Sequence, residues 1–183
     1  MCYNGKVLEV RDRMKGQNDL QYRKIVNHIL NNEEFLKIKK IEHHGISRYE
    51  HSMKVSYYSY KIAKALRLDY EQVARGGLLH DFFLSPEDRT KKDRMVSVFI
   101  HPKQAVETAK SNFKLTEKEE DMIRAHMFPI NLAVPRYLES WIVSGVDKAV
   151  ALNEFSVKCG FRLRYAYKYA YNFLALFMIG FVK

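Results

Sequence analysis

Apolar residues recur along this chain at intervals of three and four, and residues suited to capping helices separate the runs. Between about 19 and 31, Tyr22, Ile25, Val26, Ile29 and Leu30 make one stripe, with Asn18 or Asp19 placed to cap its start. A second, short helical segment follows Asn31-Asn32, from Glu33 to Ile41, and His43-His44-Gly45-Ile46 breaks the pattern. Ser47-Arg48-Tyr49-Glu50 reads as a capping box, in which the serine hydroxyl accepts from the Glu50 amide and the Glu50 carboxylate reaches back. A long helix is therefore predicted over about 48–67. Val55, Tyr58, Ile62 and Leu66 face inward on it, with His51 one turn before Val55 on the same side.

Asp69 is placed to cap the next helix, on which Val73, Gly77, His80 and Asp81 share a side. Its end, Gly76-Gly77-Leu78-Leu79-His80-Asp81-Phe82-Phe83, sets an imidazole beside a carboxylate in an otherwise apolar run. A charged group is disfavoured there unless something compensates it, and metal coordination is the obvious compensation. Adjacent helical residues point about 100° apart, so the pair needs partners from other helices. The two glycines cost helix propensity, which suggests close approach of a neighbouring backbone or a ligand.

Residues 85–98 are polar and basic, as expected of an exposed connection or lid. Pro102 suits the first position of a helix over about 102–112, leaving His101 extended at its mouth. Thr116 and Glu119 form a second capping box, and the helix after it is predicted to run to Pro129 with Met122, Ile123 and His126 on one side. After a turn at 131–135, a helix over about 136–155 carries Val143, Asp147, Val150 and Ala151 on one side, so Asp147 is a carboxylate on an apolar face. Residues 161–182 read as an aromatic C-terminal helix packed on the core or on a second subunit, and their apolar run 173–182 is too short to span a bilayer. Residues 1–17 read as a lead-in. No segment alternates as a strand does, and the expected fold is all-α.

Composition narrows this picture. With 183 residues, one domain is expected, large enough to do without staples. Cys2 and Cys159 fit neither a disulfide framework nor a thiolate zinc site, so a reducing, cytoplasmic setting is expected. The first six residues lead into charged sequence and lack the apolar core of a signal peptide. The 31 Lys and Arg against 21 Asp and Glu give a formal charge of +10, a field that attracts anions. These cations are spread along the chain rather than gathered in blocks, so no specific nucleic-acid role is expected.

Six residues stand on inward faces or helix ends: His51, His80, Asp81, His101, His126 and Asp147. Four imidazoles and two carboxylates are oxygen-poor for calcium or magnesium and include no thiolate, so the set suits iron or manganese, with nickel, cobalt or zinc as substitutes. Six ligands exceed what one catalytic ion takes, and two divalent ions bridged by one carboxylate fit the count better. A single inward histidine is more often a hydrogen-bonded core residue than a ligand. The conjunction with His80-Asp81 and a downstream aspartate reverses that reading. His28, His43 and His44 are read as surface or loop residues.

His51, His80-Asp81 and Asp147-Lys148 resemble the H…HD…D pattern of the HD-domain metal-dependent phosphohydrolases, and His101 and His126 extend it towards the two-metal branch. That branch includes the HD-GYP cyclic dinucleotide phosphodiesterases and the symmetrical dinucleoside tetraphosphate hydrolases. The resemblance covers roughly residues 44–155 and is similar in detail to small bacterial stand-alone HD proteins, through Ser47–Ser52, Leu78–Phe83, His101-Pro102-Lys103 and Val146-Asp147-Lys148. The Gly-Tyr-Pro element of the cyclic dinucleotide enzymes is absent, which argues against that activity.

The resemblance implies an HD-domain helical bundle in which His51, His80, Asp81 and Asp147 hold one ion. Asp81 bridges to a second, completed by His101 and His126. It implies that a hydroxide generated between the ions attacks phosphorus in a nucleotide or related small phosphate ester or anhydride, with His80 and Asp81 at the centre of the chemistry. Arg48, Lys54 and Lys148 are candidates to meet substrate phosphates, Arg48 and Lys54 reading equally as solvated helix residues; Lys91, Lys92 and Arg94 are within reach from the connection but read as a solvated loop rather than a substrate clamp. A homodimer through the C-terminal helix is compatible with the pattern. The alternatives are a di-iron oxygenase using the same six ligands, or a non-catalytic metal- or nucleotide-binding regulatory module.

Overall fold

The computed structural model describes residues 19–43, 46–84 and 91–159, with the side chains of 42–43, 91–98 and 157–159 excepted. The lead-in, the aromatic C-terminal segment, Asn18 and His44 lie outside the described residues.

Asp19 caps helix α1 (Leu20–Leu30) by accepting from the Tyr22 amide, and Asn32 caps the single turn α2 (Glu33–Leu36) through Phe35. A 3-10 turn over Lys37–Lys40 follows. Where the sequence pattern breaks, the chain forms a two-residue antiparallel ladder, β1 (Glu42–His43) on β2 (Ile46–Ser47). It is the one strand pairing among the described residues, too short to have shown as alternation. Helix α3 (Arg48–Ala65) starts at Ser47, and both halves of the capping box form. Helix α4 (Tyr70–Leu79) is capped by Asp69. Helices α5 (Lys91–Asn112), α6 (Glu117–Ala125) and α7 (Leu138–Cys159) complete the described chain, with the Thr116–Glu119 box closing the start of α6. The architecture is all-α, and among the described residues no helix is long and apolar enough to cross a membrane.

The centre is the contact between α3 and α4, which is closer than the apolar stripe of α3 suggests. Val55 is buried, but Tyr58, Ile62 and Leu66 flank the interface half-buried; its middle row is Ser52, Ser56, Ser59 and Ala63. These small side chains admit Gly77, where an added Cβ would stand 3.0 Å from the Ser56 Cα. Ser56 is satisfied within the core, its hydroxyl donating to Ala74 O at 2.6 Å and accepting from the Tyr22 hydroxyl at 2.8 Å, so α1, α3 and α4 meet there. One apolar cluster, including Tyr22, Phe35, Leu78, Phe82, Ala105 and Ile123, joins α1, α2 and α5 to this centre. A second, including Val55, Val73, Met122, Ile142, Val143 and Val150, joins α7 to it.

Three boundaries differ from the sequence expectation. Pro102 lies inside α5 rather than at its start, and His101 is helical rather than extended at a helix mouth. Proline has a helical φ and forfeits one backbone bond, a cost of about 3 kcal/mol. Burial of His101, Ala105, Val106 and Ala109 along one continuous face offsets it. The polar stretch 85–98 is therefore not a connection throughout: α5 begins at Lys91, and only 85–90 lies outside the described residues. Helices α4 and α6 stop earlier than predicted, at Leu79 and Ala125, so His80 and His126 each occupy a C-cap and Asp81 follows in the turn. Helix α7 begins where buried Asp121 of α6 accepts from the Arg136 amide at 2.9 Å and the Ser140 hydroxyl at 2.8 Å.

Candidate metal centre

Five helices bring the six sequence-selected residues to one place, and all six are buried. His51 comes from the first turn of α3, His80 and Asp81 from the end of α4, His101 from α5, His126 from the end of α6 and Asp147 from the middle of α7. Their ligand atoms form three overlapping groups, His51–His80–Asp81, His80–His126–Asp147 and Asp81–His101–His126, in each of which the atoms lie within 4.8 Å of one another.

Asp147 Oδ1 is 3.0 Å from His51 Nε2 and 3.5 Å from His80 Nε2. Asp81 divides its oxygens: Oδ2 lies 3.8 Å from His80 Nε2, while Oδ1 lies 3.5 Å from His101 Nε2 and 3.6 Å from His126 Nε2. The His101 and His126 Nε2 atoms are 2.9 Å apart, close enough to serve one ion.

The other ring nitrogens are anchored. His80 Nδ1 is 2.8 Å from Gly77 O and His126 Nδ1 is 2.7 Å from Ile123 O, each a carbonyl three residues back. Only a protonated Nδ1 can donate to a carbonyl, so each ring in its neutral form directs an Nε2 lone pair to the centre. His51 Nδ1 is 2.9 Å from the Glu154 carboxylate. The donor set fits a transition-metal ion on this structure's own terms: His80 Nε2 is buried and makes no hydrogen bond, an orphan that a cation would satisfy.

Electrostatics separates the histidines. Burial works against a charge on His51, yet its bonds to Asp147 and Glu154 outweigh burial and raise its pKa to about 10. Burial, reinforced by the like charge of His80, lowers His126 to about 3. Asp147 sits well below the usual carboxylate range because, against burial, His51 and His80 favour its charged form. Without a bound ion, His51 therefore carries a proton beside an ionised Asp147, and His126 stays neutral.

The candidate phosphate-binding cations stand one contact behind these groups. Arg48 is buried, donates from Nη1 to Phe83 O and stacks 3.7 Å above the Phe83 ring, which itself stacks on His101. Lys54 Nζ is 3.3 Å from a Glu154 oxygen. Lys148 places its three N–H donors on His126 O, Ser144 O and Ser144 Oγ, bracing the His126 backbone from α7. The side chains of Lys91, Lys92 and Arg94 lie outside the described residues. His28, on α1, sits edge-on to Phe113.

Glu154 escaped the sequence reading. A signal existed: it follows Asp147 by seven residues, two turns along the same face of α7. Ser144, whose hydroxyl donates to His126 O at 2.8 Å, lies on that helix one turn before Asp147.

No curated protein and no solved structure matches the chain. The HD domain family model matches residues 48–152, more than half of the sequence, from the first residue of α3 into the last turns of α7. That span encloses all six converging residues and stops short of Glu154. With the all-α architecture and the buried histidine–aspartate centre in place, this match shows that the chain belongs to the HD-domain family.

Proposed function

We propose that the protein is a metal-dependent phosphohydrolase acting on a nucleotide or related small phosphate ester or anhydride. His51, His80, Asp81 and Asp147 hold one divalent transition-metal ion, and Asp81, His101 and His126 a second, with iron or manganese preferred. The observation that carries this reading is the divided Asp81 carboxylate, one oxygen towards His80 and the other towards His101 and His126. A pair of such ions polarises phosphoryl oxygens and lowers the pKa of water.

The chain's own residues do the rest. Asp81 would serve both positions, one carboxylate oxygen lying towards His80 and the other towards His101 and His126. Gly77 O and Ile123 O hold His80 and His126 as Nδ1–H tautomers, so no rotation is required when the centre loads. Lys148 and Ser144 brace His126 through its carbonyl, and the Arg48–Phe83–His101 stack holds the third imidazole. Arg48, Lys54 and Lys148 raise the positive potential felt by a phosphate from behind the ligands.

The test is a panel of nucleotides, phosphodiesters and phosphomonoesters offered to protein loaded with iron or manganese. Release of phosphate or a nucleoside monophosphate is expected from at least one member. Asp81→Ala, with its helical circular dichroism unchanged, should lose more than the roughly 10- to 100-fold that outer-sphere partners cost. Undiminished turnover in that variant would sink the proposal.

A further inference from the structure

His51 differs from the other anchored histidines in what holds it. His80 and His126 sit at helix ends, where free carbonyls three residues back take their Nδ1–H groups. His51 lies in the first turn of α3, where no such end is at hand, and the acceptor comes from another helix: Glu154 Oε2 of α7, at 2.9 Å. The Glu154 side chain is only 3% exposed. Its second oxygen accepts from Lys54 Nζ at 3.3 Å, and Lys54 is one turn beyond His51 on α3. Lys54, Glu154 and His51 thus form a chain that closes between α3 and α7 and ends at Nε2, 3.0 Å from Asp147.

We propose that Glu154 is a positioning residue that holds His51 as the Nδ1–H tautomer with Nε2 turned to the metal, and that Lys54 fixes which way the carboxylate faces. The inference rests on the reading of His51 as a metal ligand. It makes the two metal positions unequal: the one that includes His51 depends on Glu154, and the one that includes His101 and His126 does not.

Glutamine at position 154 exposes this. An amide has one acceptor and one donor end. If its oxygen faces His51, its NH2 meets the Lys54 ammonium. If its oxygen faces Lys54, the NH2 meets Nδ1, which must then accept, and the proton moves to Nε2 where it blocks ligation. Removing the ammonium while keeping its stem, as in Lys54→Met, lifts the conflict.

The experiment measures Mn2+ binding, in steps, by wild type, E154Q, K54M and E154Q/K54M. Wild type is expected to bind two ions. E154Q should weaken one step by about 10- to 100-fold and leave the other unchanged. The double variant should recover most of that loss. Equal affinity in E154Q, equal weakening of both steps, or a double variant no tighter than E154Q overturns the inference while leaving the ligand assignment standing. A wild type that takes up no Mn2+ overturns the ligand assignment itself. A readout that needs no variant is the 15N spectrum of wild type loaded with diamagnetic Zn2+, in which the His51 proton must reside on Nδ1; a proton on Nε2 refutes the proposal.

Discussion

At the residue scale, His51 is suspended between two carboxylates, Asp147 at 3.0 Å from one ring nitrogen and Glu154 at 2.9 Å from the other. Both nitrogens donate when the ring is an imidazolium, which is why its pKa rises to about 10 despite burial. A cation that takes Nε2 must displace that proton, so metal uptake near pH 7 is expected to release about one proton from this residue. The sign follows: below pH 10 the proton competes, and apparent affinity at the position that includes His51 should climb by up to about tenfold per pH unit from pH 6 to 8. His126, neutral down to about pH 3, adds nothing to that slope. Calorimetric titrations in buffers of different ionisation heat count the protons. No release at pH 7, or an affinity flat with pH, would contradict the assignment of Nε2 as the ligand atom.

The element scale is dominated by the approach of α4 to α3. Gly77 does two jobs: its missing side chain lets the helices close, and its carbonyl holds His80 Nδ1 at 2.8 Å. An alanine Cβ would meet the Ser56 backbone, which cannot give without moving α3. Gly77→Ala should therefore cost about 1–3 kcal/mol of stability and weaken metal binding as well. At Gly76 the nearest atom to an added Cβ is the Met122 sulfur, in an adaptable side chain. The roughly 0.5–1 kcal/mol by which alanine favours a helix offsets part of that strain, so Gly76→Ala should be the milder change. Urea denaturation of the two variants decides the order, and a costlier Gly76→Ala would mean that Met122 is the more rigid neighbour.

For the molecule as a whole, five helices from a chain of formal charge +10 deliver a centre that includes buried carboxylates. Three cations whose structural partners are known, Arg48, Lys54 and Lys148, stand directly behind that centre. The excess positive charge should draw phosphate-bearing substrates in at low salt and fade as the Debye length shrinks from about 30 Å at 0.01 M to about 8 Å at 0.15 M. The value of kcat/KM for an anionic substrate is thus expected to fall several-fold over that range while kcat changes little. A KCl series in the hydrolysis assay measures it, and a flat profile would remove steering from the account.

Local chemistry was legible without coordinates. The boxes at Ser47–Glu50 and Thr116–Glu119 start α3 and α6 where the residue order places them, because a cap depends on atoms three residues apart. The six converging residues were legible too, since each lies on an inward helical face or end and the periodicity of a helix is a property of sequence. Three features depended on neighbours remote in sequence, and tertiary structure alone decided them. Pro102 stays inside α5 because the face from His101 to Ala109 is buried, which outweighs the lost bond. The centre of α3 is a row of serines because α4 comes close enough to exclude larger side chains. Glu154 joins the buried histidine–aspartate cluster because α7 packs on α3 across 103 residues of sequence, and only that contact shows which buried carboxylate meets His51.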